Sequence, residues 1–234
     1  MQEAVKRNIF IRRKFVIKAV IFDMDGLLID SETLTYQVYK KLLKKYGDIE
    51  FSLDDYVQNY CGKTAIGNMT TLAEKYALPF TPEEGLEIYR DMEKDYVEAG
   101  IELKDGAEEL LDFLKLYQYK TALATSSMKD RALKILCQHN LQEFFDVFVF
   151  GNEVKEGKPH PEMFLAAAKR LGKKPGDCLV LEDSEAGIQA AAFAGIPVIC
   201  IPDMKQPQKK YEETAVCLLE SLRDVISYLK NQEK

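Results

Sequence analysis

The sequence predicts an α/β fold, a doubly wound parallel sheet with an inserted all-helical domain. Two observations predict it. From residue 105 onward, short apolar runs alternate with amphipathic helical patterns, as in parallel sheets that carry helices on both faces. Between residues 36 and 101 the periodic segments are helical, and no strand pattern stands out. The helical insertion is therefore expected to follow the first strand directly.

The first strand leads into two acidic residues. Residues 16–22 form an apolar run, which predicts a strand buried on both faces. The run ends at Asp23 and Asp25, one residue apart. Two carboxylates at the tip of a buried strand repel each other and gain nothing from packing, so we expect a positive group to neutralise them. Gly26 follows and permits a sharp turn out of the strand.

The helices of the insertion carry their own start and stop signals. A helix is predicted over residues 30–47, where the apolar residues have helical spacing. Ser52 is the expected N-cap of a second helix, with Asp55 three residues later. Thr81 is expected to cap a further helix that closes at Gly100.

The later elements alternate regularly. Helices are expected over residues 105–117, 128–140, 161–172 and 185–195, and strands over 120–127, 146–151, 177–184 and 197–202. The expected domains are an N-terminal extension over 1–15, a core over 16–35 and 104–234, and a helical cap over 36–103. The extension is basic and lacks the apolar stretch of a secretory signal, so it is expected to be disordered or to reflect a start codon assigned too early.

Composition and charge argue against several classes of protein. The chain of 234 residues carries a net charge of −6, so its surface as a whole does not attract nucleic acid. It has no apolar run long enough to span a membrane. Its five cysteines show no paired spacing and are expected to be reduced, which indicates a cytoplasmic protein. We expect a monomer.

Polar side chains follow four of the predicted strands at the point where each strand ends. They are Asp23 and Asp25 after the first strand, Thr125, Ser126 and Ser127 after the second, Lys158 after the third, and Glu182 and Asp183 after the fourth. Parallel α/β sheets bind ligands at this edge, so we expect these side chains to form one site. Four carboxylates together require a cation, and Mg²⁺ suits carboxylates combined with phosphate and water. The hydroxyls and the lysine suit phosphate oxygens.

Four segments carry a family resemblance. They are "DMDGLLIDSE", "ATSS", "GKPHPEMF" and "LEDSEAGIQAA". In this order they resemble the motifs of the haloacid dehalogenase (HAD) superfamily, and the helical insertion behind the first motif resembles its β-phosphoglucomutase-like phosphatase branch. The resemblance implies a Rossmann-like, HAD-type sheet with a helical cap of the C1 type. It also implies Mg²⁺-dependent hydrolysis of a small phosphorylated metabolite, a sugar phosphate or a nucleotide, through an aspartyl-phosphate.

The resemblance also implies roles for individual residues. Asp23 would be the nucleophile, and Asp25 would be the general acid and base. The remaining catalytic and phosphate-binding positions would be Thr125, Ser126, Ser127, Lys158 and Gly26. Magnesium would be bound by Asp23, the backbone carbonyl of Asp25, Glu182 and Asp183. Lys63, in the "CGKT" segment of the cap, would face either the substrate or solvent.

Two other functions remain open. A sugar phosphomutase shares every core motif, but in this branch it carries a histidine twelve residues after the nucleophile and an arginine in the cap loop. Thr35 and Ala65 occupy those positions here, which weakens the mutase hypothesis. A phospho-accepting receiver module also places aspartates, a hydroxyl and a lysine around Mg²⁺. Such a module is about half this length, accepts phosphate at a middle strand and has no insertion behind its first strand.

Overall fold

A computed structural model describes residues 16–232 of the chain. The expected N-terminal extension, residues 1–15, lies outside the described residues. The first half of the described chain contains β1 (Ala19–Phe22), α1 (Ser31–Gly47), α2 (Leu53–Asn59), α3 (Ala65–Tyr76), α4 (Pro82–Ala99) and α5 (Ala107–Leu116). The second half contains β2 (Lys120–Thr125), α6 (Lys129–Gln138), β3 (Val147–Phe150), α7 (Glu162–Arg170), β4 (Cys178–Glu182), α8 (Glu185–Phe193), β5 (Val198–Cys200), α9 (Lys209–Glu212), β6 (Cys217–Leu218) and α10 (Leu222–Gln232).

The strands form one parallel sheet in the order β3-β2-β1-β4-β5-β6. At its centre, Phe22 of β1 lies between Leu123 of β2 and Leu181 of β4. All four residues of β1 are fully buried, because helices cover both faces of the sheet. Val20 and Phe22 belong to one hydrophobic cluster and Ala19 to the cluster on the opposite face. The predicted doubly wound parallel sheet is confirmed.

The sheet extends further than the sequence indicated. The last strand, β6, is only two residues long and lies at the sheet edge, where it pairs with β5. A two-residue strand cannot establish an alternating pattern, so its register depends on tertiary pairing alone. Helix α10, which follows it, buries Leu222, Val225 and Leu229 and packs against α5.

Four helices, α1–α4, lie between β1 and α5, and we refer to them as the helical insert. Their caps follow the predicted signals. The Ser52 hydroxyl accepts a hydrogen bond from the Asp55 amide at 3.1 Å. Thr81 and Glu84 form a reciprocal capping box, with the Glu84 carboxylate accepting from the Thr81 amide at 2.8 Å. Helices α1 and α3 both pack against α4, so the insert has a helical interior that is continuous with the hydrophobic cluster on one face of the sheet.

The two connections between the sheet and the insert run side by side. The Asp30 amide donates to the Glu102 carbonyl at 2.9 Å, and the Lys104 amide donates to the Leu28 carbonyl at 3.0 Å. Ile29 and Leu103 form an isolated antiparallel bridge between them. The insert therefore leaves and rejoins the sheet at one place, directly beside the carboxyl end of β1. Among residues 16–232, no helix combines the length and the apolar character that a membrane span requires.

Candidate active site

A lysine lies between two carboxylates at the carboxyl edge of the sheet. Asp23 immediately follows β1, and its amide donates to the Leu181 carbonyl at 3.1 Å, which extends the β1–β4 pairing by one residue. The Lys158 ammonium lies 2.5 Å from Asp23 Oδ1 and 2.5 Å from Glu182 Oε1. The side chains of Lys158 and Asp23 are each 8% exposed and that of Glu182 is fully buried. Three predicted site residues thus form one buried ionic group.

Glu182 is held by the beginning of α8. Its second oxygen, Oε2, accepts hydrogen bonds from the Asp183 amide at 3.0 Å and from the Ser184 amide and hydroxyl at 3.0 and 2.9 Å. Gly187 makes this position possible, because a Cβ at that residue would lie only 1.9 Å from the Glu182 carboxylate. Glu182 therefore accepts three hydrogen bonds on Oε2 and one on Oε1, and it fixes the Lys158 ammonium.

Gly26 brings Asp183 into the same site. Its φ of +80° is a conformation that residues with a side chain rarely adopt, and a Cβ there would lie 2.3 Å from Asp183 Oδ2. The Gly26 amide donates to the Ile29 carbonyl at 3.1 Å within the turn. Asp23, Glu182 and Asp183 each offer a carboxylate oxygen, and these oxygens all lie within 4.8 Å of one another. Hard oxygen donors at this spacing suit a small divalent cation.

The electrostatics of the group indicate an unmet need for positive charge. Burial raises the pKa of Asp23 to about 7; the Lys158 ammonium opposes this rise, and the Glu182 carboxylate adds to it. Burial, followed by the charges of Glu182 and Asp23, raises the pKa of Asp183 well above its usual range. Burial would lower the pKa of Lys158, but the Asp23 and Glu182 carboxylates raise it, so its ammonium stays charged. The one positive charge of Lys158 thus lies within a group of three acidic side chains, those of Asp23, Glu182 and Asp183.

Asp25 is held by hydroxyl groups that follow β2. The Ser127 hydroxyl donates to Asp25 Oδ2 at 2.7 Å, and the Thr125 hydroxyl lies 3.3 Å from the same oxygen. Thr125 is fully buried and also accepts from the Ser127 amide at 3.0 Å. Ser126, between them, is exposed. The structure therefore brings Thr125 and Ser127 of the second predicted motif to the second aspartate.

Arg131 is a site residue that the motifs do not include. It lies in the first turn of α6, and its Nη1 donates to Asp25 Oδ1 at 2.8 Å. Its Nε donates to Glu93 Oε1 of α4 at 3.0 Å, so one guanidinium joins the sheet edge to the helical insert. Burial would raise the pKa of Asp25, but the Arg131 charge and the hydrogen bonds from Ser127 and Thr125 lower it below its usual range. The sequence gives one signal for Arg131, which is its position. A residue in the first turn of a helix that follows a strand lies near the carboxyl edge of the sheet.

Lys63 lies beside a cavity next to Asp183. The cavity, with a volume of about 90 Å³, lies between the loop at Cys61–Lys63, the beginning of α8 and residues 203–207. The loop is held by Glu32, whose carboxylate accepts from the Gly62 amide at 3.2 Å and from the Tyr56 hydroxyl. Lys63 itself is exposed. Its position allows contact with a molecule in the cavity, while its ammonium remains accessible to solvent.

The sequence and the fold both match known proteins. The model of the haloacid dehalogenase-like hydrolase family matches residues 17–195. The chain belongs to this family. It is 32% identical over 216 residues to a phosphorylated carbohydrates phosphatase of Thermotoga maritima, covering 92% of this chain and 99% of that protein. It is 35% identical over 224 residues to (DL)-glycerol-3-phosphatase 1, mitochondrial, of Arabidopsis thaliana, covering 89% of this chain and 71% of that protein.

A solved structure shares the whole fold of this HAD-like hydrolase. The crystal structure of β-phosphoglucomutase from Clostridium difficile superposes with a TM-score of 0.75 at 23% identity, covering 92% of this chain and 96% of that chain. A putative β-phosphoglucomutase from Thermotoga maritima is 32% identical and superposes with a TM-score of 0.77, covering 92% of this chain and 99% of that chain. The predicted superfamily and branch are confirmed. Both sequence relatives described above are named phosphatases, and the prediction of an enzyme that hydrolyses phosphoric monoesters is confirmed. The receiver-module hypothesis has no support from these matches.

The burial of Asp183 predicts a pH-dependent cost of folding. Because the pKa of Asp183 is raised in the folded protein, protonation of this carboxyl group stabilises the folded state. The stabilisation is complete below the unfolded-state pKa of about 3.9 and is lost as pH rises through the folded-state pKa. Asparagine resembles the neutral carboxyl group. We therefore expect Asp183→Asn to raise the melting temperature of the metal-free protein by several degrees at pH 8 and by less at pH 5.

The measurement is thermal unfolding in a chelator at both pH values. Asp112→Asn, which removes the same charge from an exposed position on α5, is the control and should shift the melting temperature little at either pH. A gain for Asp183→Asn that is equal at both pH values, or a loss at pH 8, would contradict the assignment of a buried charge penalty.

The Arg131 link predicts a stability difference between two variants of α6. Arg131→Met leaves the partly buried carboxylates of Asp25 and Glu93 without their guanidinium, and we expect a loss of about 1.5–3 kcal/mol in the free energy of unfolding, the range for hydrogen bonds to charged groups. Lys134→Met is a matched control, because Lys134 joins α6 to Glu98 of α4 through a pair whose side chains are 45% and 66% exposed. The free energy of unfolding of Lys134→Met should fall by no more than about 0.5 kcal/mol.

Denaturant unfolding of both variants tests this difference. Equal losses for Arg131→Met and Lys134→Met would show that the buried guanidinium holds the insert no more firmly than a surface ion pair does.

Proposed function

We propose that this HAD-like hydrolase is a Mg²⁺-dependent phosphatase of small phosphomonoesters, sugar phosphates or nucleotides, and that it acts through an aspartyl-phosphate on Asp23. The observation that carries the proposal is the buried group in which the Lys158 ammonium lies 2.5 Å from both Asp23 and Glu182. A carboxylate that is desolvated and aligned by a fixed cation is suited to nucleophilic attack on phosphorus. The phosphatase names of the relatives support the same reaction class.

The donor set fits magnesium. Asp23 and Asp183 supply carboxylate oxygens, and the backbone carbonyl of Asp25 lies two residues from Asp23 in the same segment. Glu182 already accepts four hydrogen bonds from protein donors, so we assign it to positioning Lys158 and the start of α8 rather than to direct metal binding. Bound Mg²⁺ would offset the charge of the phosphoryl group and of the attacking carboxylate.

The first chemical step transfers the phosphoryl group to the protein. An oxygen of Asp23 attacks phosphorus, a bond forms between them, and the bond from phosphorus to the leaving oxygen breaks. The leaving oxygen takes a proton from the carboxyl group of Asp25. Lys158 and the hydroxyls of Thr125 and Ser126 offset charge on the phosphoryl oxygens as it develops.

The second step releases phosphate. Water attacks phosphorus, Asp25 accepts the proton of that water, and the bond from phosphorus to Asp23 breaks. Arg131, at 2.8 Å from Asp25, favours the ionised form that this step requires. The acid form needed in the first step requires a weaker hold by Arg131, which a movement of α4 that draws the guanidinium toward Glu93 would provide. We therefore assign the helical insert, including Lys63, to a cap that closes over the substrate.

The mutase alternative receives no support from the insert. Thr35, at the position of the mutase histidine, donates its hydroxyl to the Ser31 carbonyl at 2.9 Å and lies 3.2 Å from the Tyr89 hydroxyl. Its hydroxyl is thus engaged within the insert. Ala65, at the position of the cap arginine, begins α3. Neither side chain can bind a sugar phosphate as histidine or arginine would. The monomeric state and the cytoplasmic location remain predictions.

The roles of the two aspartates predict different defects. Asp23→Asn removes the nucleophile, so hydrolysis of p-nitrophenyl phosphate should fall on the order of 10³-fold or more without loss of the folded state. Asp25→Asn should slow an alkyl phosphate by about 10²- to 10⁴-fold, and an aryl phosphate much less, because a phenolate leaves with little protonation. Initial rates with Mg²⁺, beside circular dichroism of each variant, measure both effects.

Full activity of Asp23→Asn would refute the nucleophile assignment. Equal losses on alkyl and aryl phosphates for Asp25→Asn would argue against proton transfer to the leaving group.

A glucose-phosphate assay separates a phosphatase from a mutase. With Mg²⁺ and either anomer of glucose 1-phosphate, or with other members of a phosphometabolite panel, we expect release of inorganic phosphate and no glucose 6-phosphate. Colorimetric phosphate detection and a coupled glucose 6-phosphate assay on the same samples report the two products. Catalytic accumulation of glucose 6-phosphate would establish the mutase instead.

A further inference from the structure

Asp203 is a buried carboxylate beside the candidate active site that none of the motifs includes. It lies in the loop that follows β5, next to β4 at the carboxyl edge of the sheet. Its side chain is 7% exposed, and its Oδ1 accepts a hydrogen bond from the Lys104 ammonium at 2.5 Å. Its other oxygen, Oδ2, is buried and has no hydrogen-bond partner among the described residues. Asp203 Oδ2 is therefore available to accept a hydrogen bond from a bound ligand or water molecule.

The free oxygen faces Asp183 across Gly26. A Cβ on Gly26 would stand 2.3 Å from Asp183 Oδ2 and 3.5 Å from Asp203 Oδ2, so both oxygens border the space that the glycine leaves open. Two carboxylate oxygens so placed repel each other unless a proton donor or a cation lies between them. Asp203 does not belong to the set of oxygens within 4.8 Å of one another that Asp23, Glu182 and Asp183 form. It lies close to the candidate metal ligands without being one of them.

A purely structural ion pair does not account for this arrangement. Burying a polar atom without a partner is unfavourable, and the Lys104–Asp203 pair leaves one such oxygen. A ligand that donates a hydrogen bond to Oδ2 would remove the penalty. The space beside Gly26 and Asp183 is where such a ligand would lie.

We propose that Asp203 accepts a hydrogen bond from a water molecule bound to the Mg²⁺ of the active site, and that Lys104 orients the Asp203 carboxylate for this contact. The inference rests on the magnesium site of the proposed function. Some carboxylates do not bind a metal directly but hydrogen-bond to the groups that do. Replacing such a carboxylate commonly lowers metal affinity 10- to 100-fold. Lys104 lies in the return connection of the helical insert, so the same pair joins that connection to the metal site.

The test is Mg²⁺ binding, measured by isothermal titration calorimetry on the whole chain. Asp203→Asn keeps the size of the side chain; with its single oxygen held by Lys104, it places an NH₂ group, which cannot accept a hydrogen bond, where Oδ2 lies. We expect Mg²⁺ to bind about tenfold more weakly. Mg²⁺ should then stabilise the variant against thermal unfolding by about 1.4 kcal/mol less than it stabilises the parent.

Glu185→Gln is the matched control. It removes a charge from the wall of the same cavity, but both Glu185 oxygens are engaged by Gln208, at 2.8 and 3.2 Å. Its Mg²⁺ affinity should change less than about threefold, because a charge acting only through solvent is largely screened at physiological salt. Asp203→Ser, a smaller replacement without the carboxylate, supplies the same comparison if the asparagine variant does not fold.

The outcomes separate this inference from the proposed function. Unchanged Mg²⁺ affinity in Asp203→Asn, with normal binding by the parent, would overturn the role of Asp203 and leave the magnesium site intact. Affinity lost equally in Asp203→Asn and Glu185→Gln would also overturn it, because general charge would then explain the effect. No Mg²⁺ binding by the parent would overturn the magnesium site itself and the inference with it.

Discussion

The ammonium of Lys158, enclosed between Asp23 and Glu182, is the interaction on which the rest of the sheet edge depends. A buried ammonium is tolerated only when carboxylates surround it, and a buried carboxylate only when a cation or several donors do. Lys158 and Glu182 satisfy each other, and the amides at the start of α8 complete the hydrogen bonds of Glu182. Lys158 also lies over the ring of Phe164, 5.0 Å from its centre, which adds a weaker attraction. Asp23 and Asp183 are left without a full complement of positive charge, so the protein's own packing favours a further cation or proton at this edge.

A second set of polar contacts transmits the position of the insert to the same edge. Thr35 lies 3.2 Å from the Tyr89 hydroxyl, which donates to Glu93 at 3.1 Å. Glu93 accepts from Arg131, and Arg131 donates to Asp25. The chain of contacts begins on α1, crosses α4 and ends at the residue assigned to proton transfer. A shift of α4 relative to α6 would break or lengthen one of these bonds, so the position of α4 and the ionisation of Asp25 are physically connected.

The sequence was most informative where local pattern and sheet topology coincide. Asp23, Lys158 and Asp183 follow buried strands, and parallel strands present their carboxyl ends at one edge, so their meeting could be predicted without coordinates. Arg131 and Asp203 follow β2 and β5 and so also lie near this edge, but their partners could not be predicted in this way. Arg131 reaches Glu93 only because side chains of α6 meet side chains of α4. The ion-pair partner of Asp203 is Lys104, which is 99 residues away in the chain. Such contacts depend on how elements pack, and residue spacing does not encode packing.

Gly26 shows how the absence of a side chain can determine a site. A methyl group there would occupy the space that Asp183 Oδ2 and Asp203 Oδ2 border, and its positive φ directs the chain into the turn that leads to the insert. One glycine thus meets two separate requirements, a backbone conformation and a close approach of carboxylates. Neither requirement alone explains its position, because many residues could turn the chain elsewhere in the loop. Both requirements apply at Gly26 because the connection to the insert leaves the sheet where the Asp183 and Asp203 carboxylates approach each other. The route of the chain and the chemistry of the site therefore constrain the same residue.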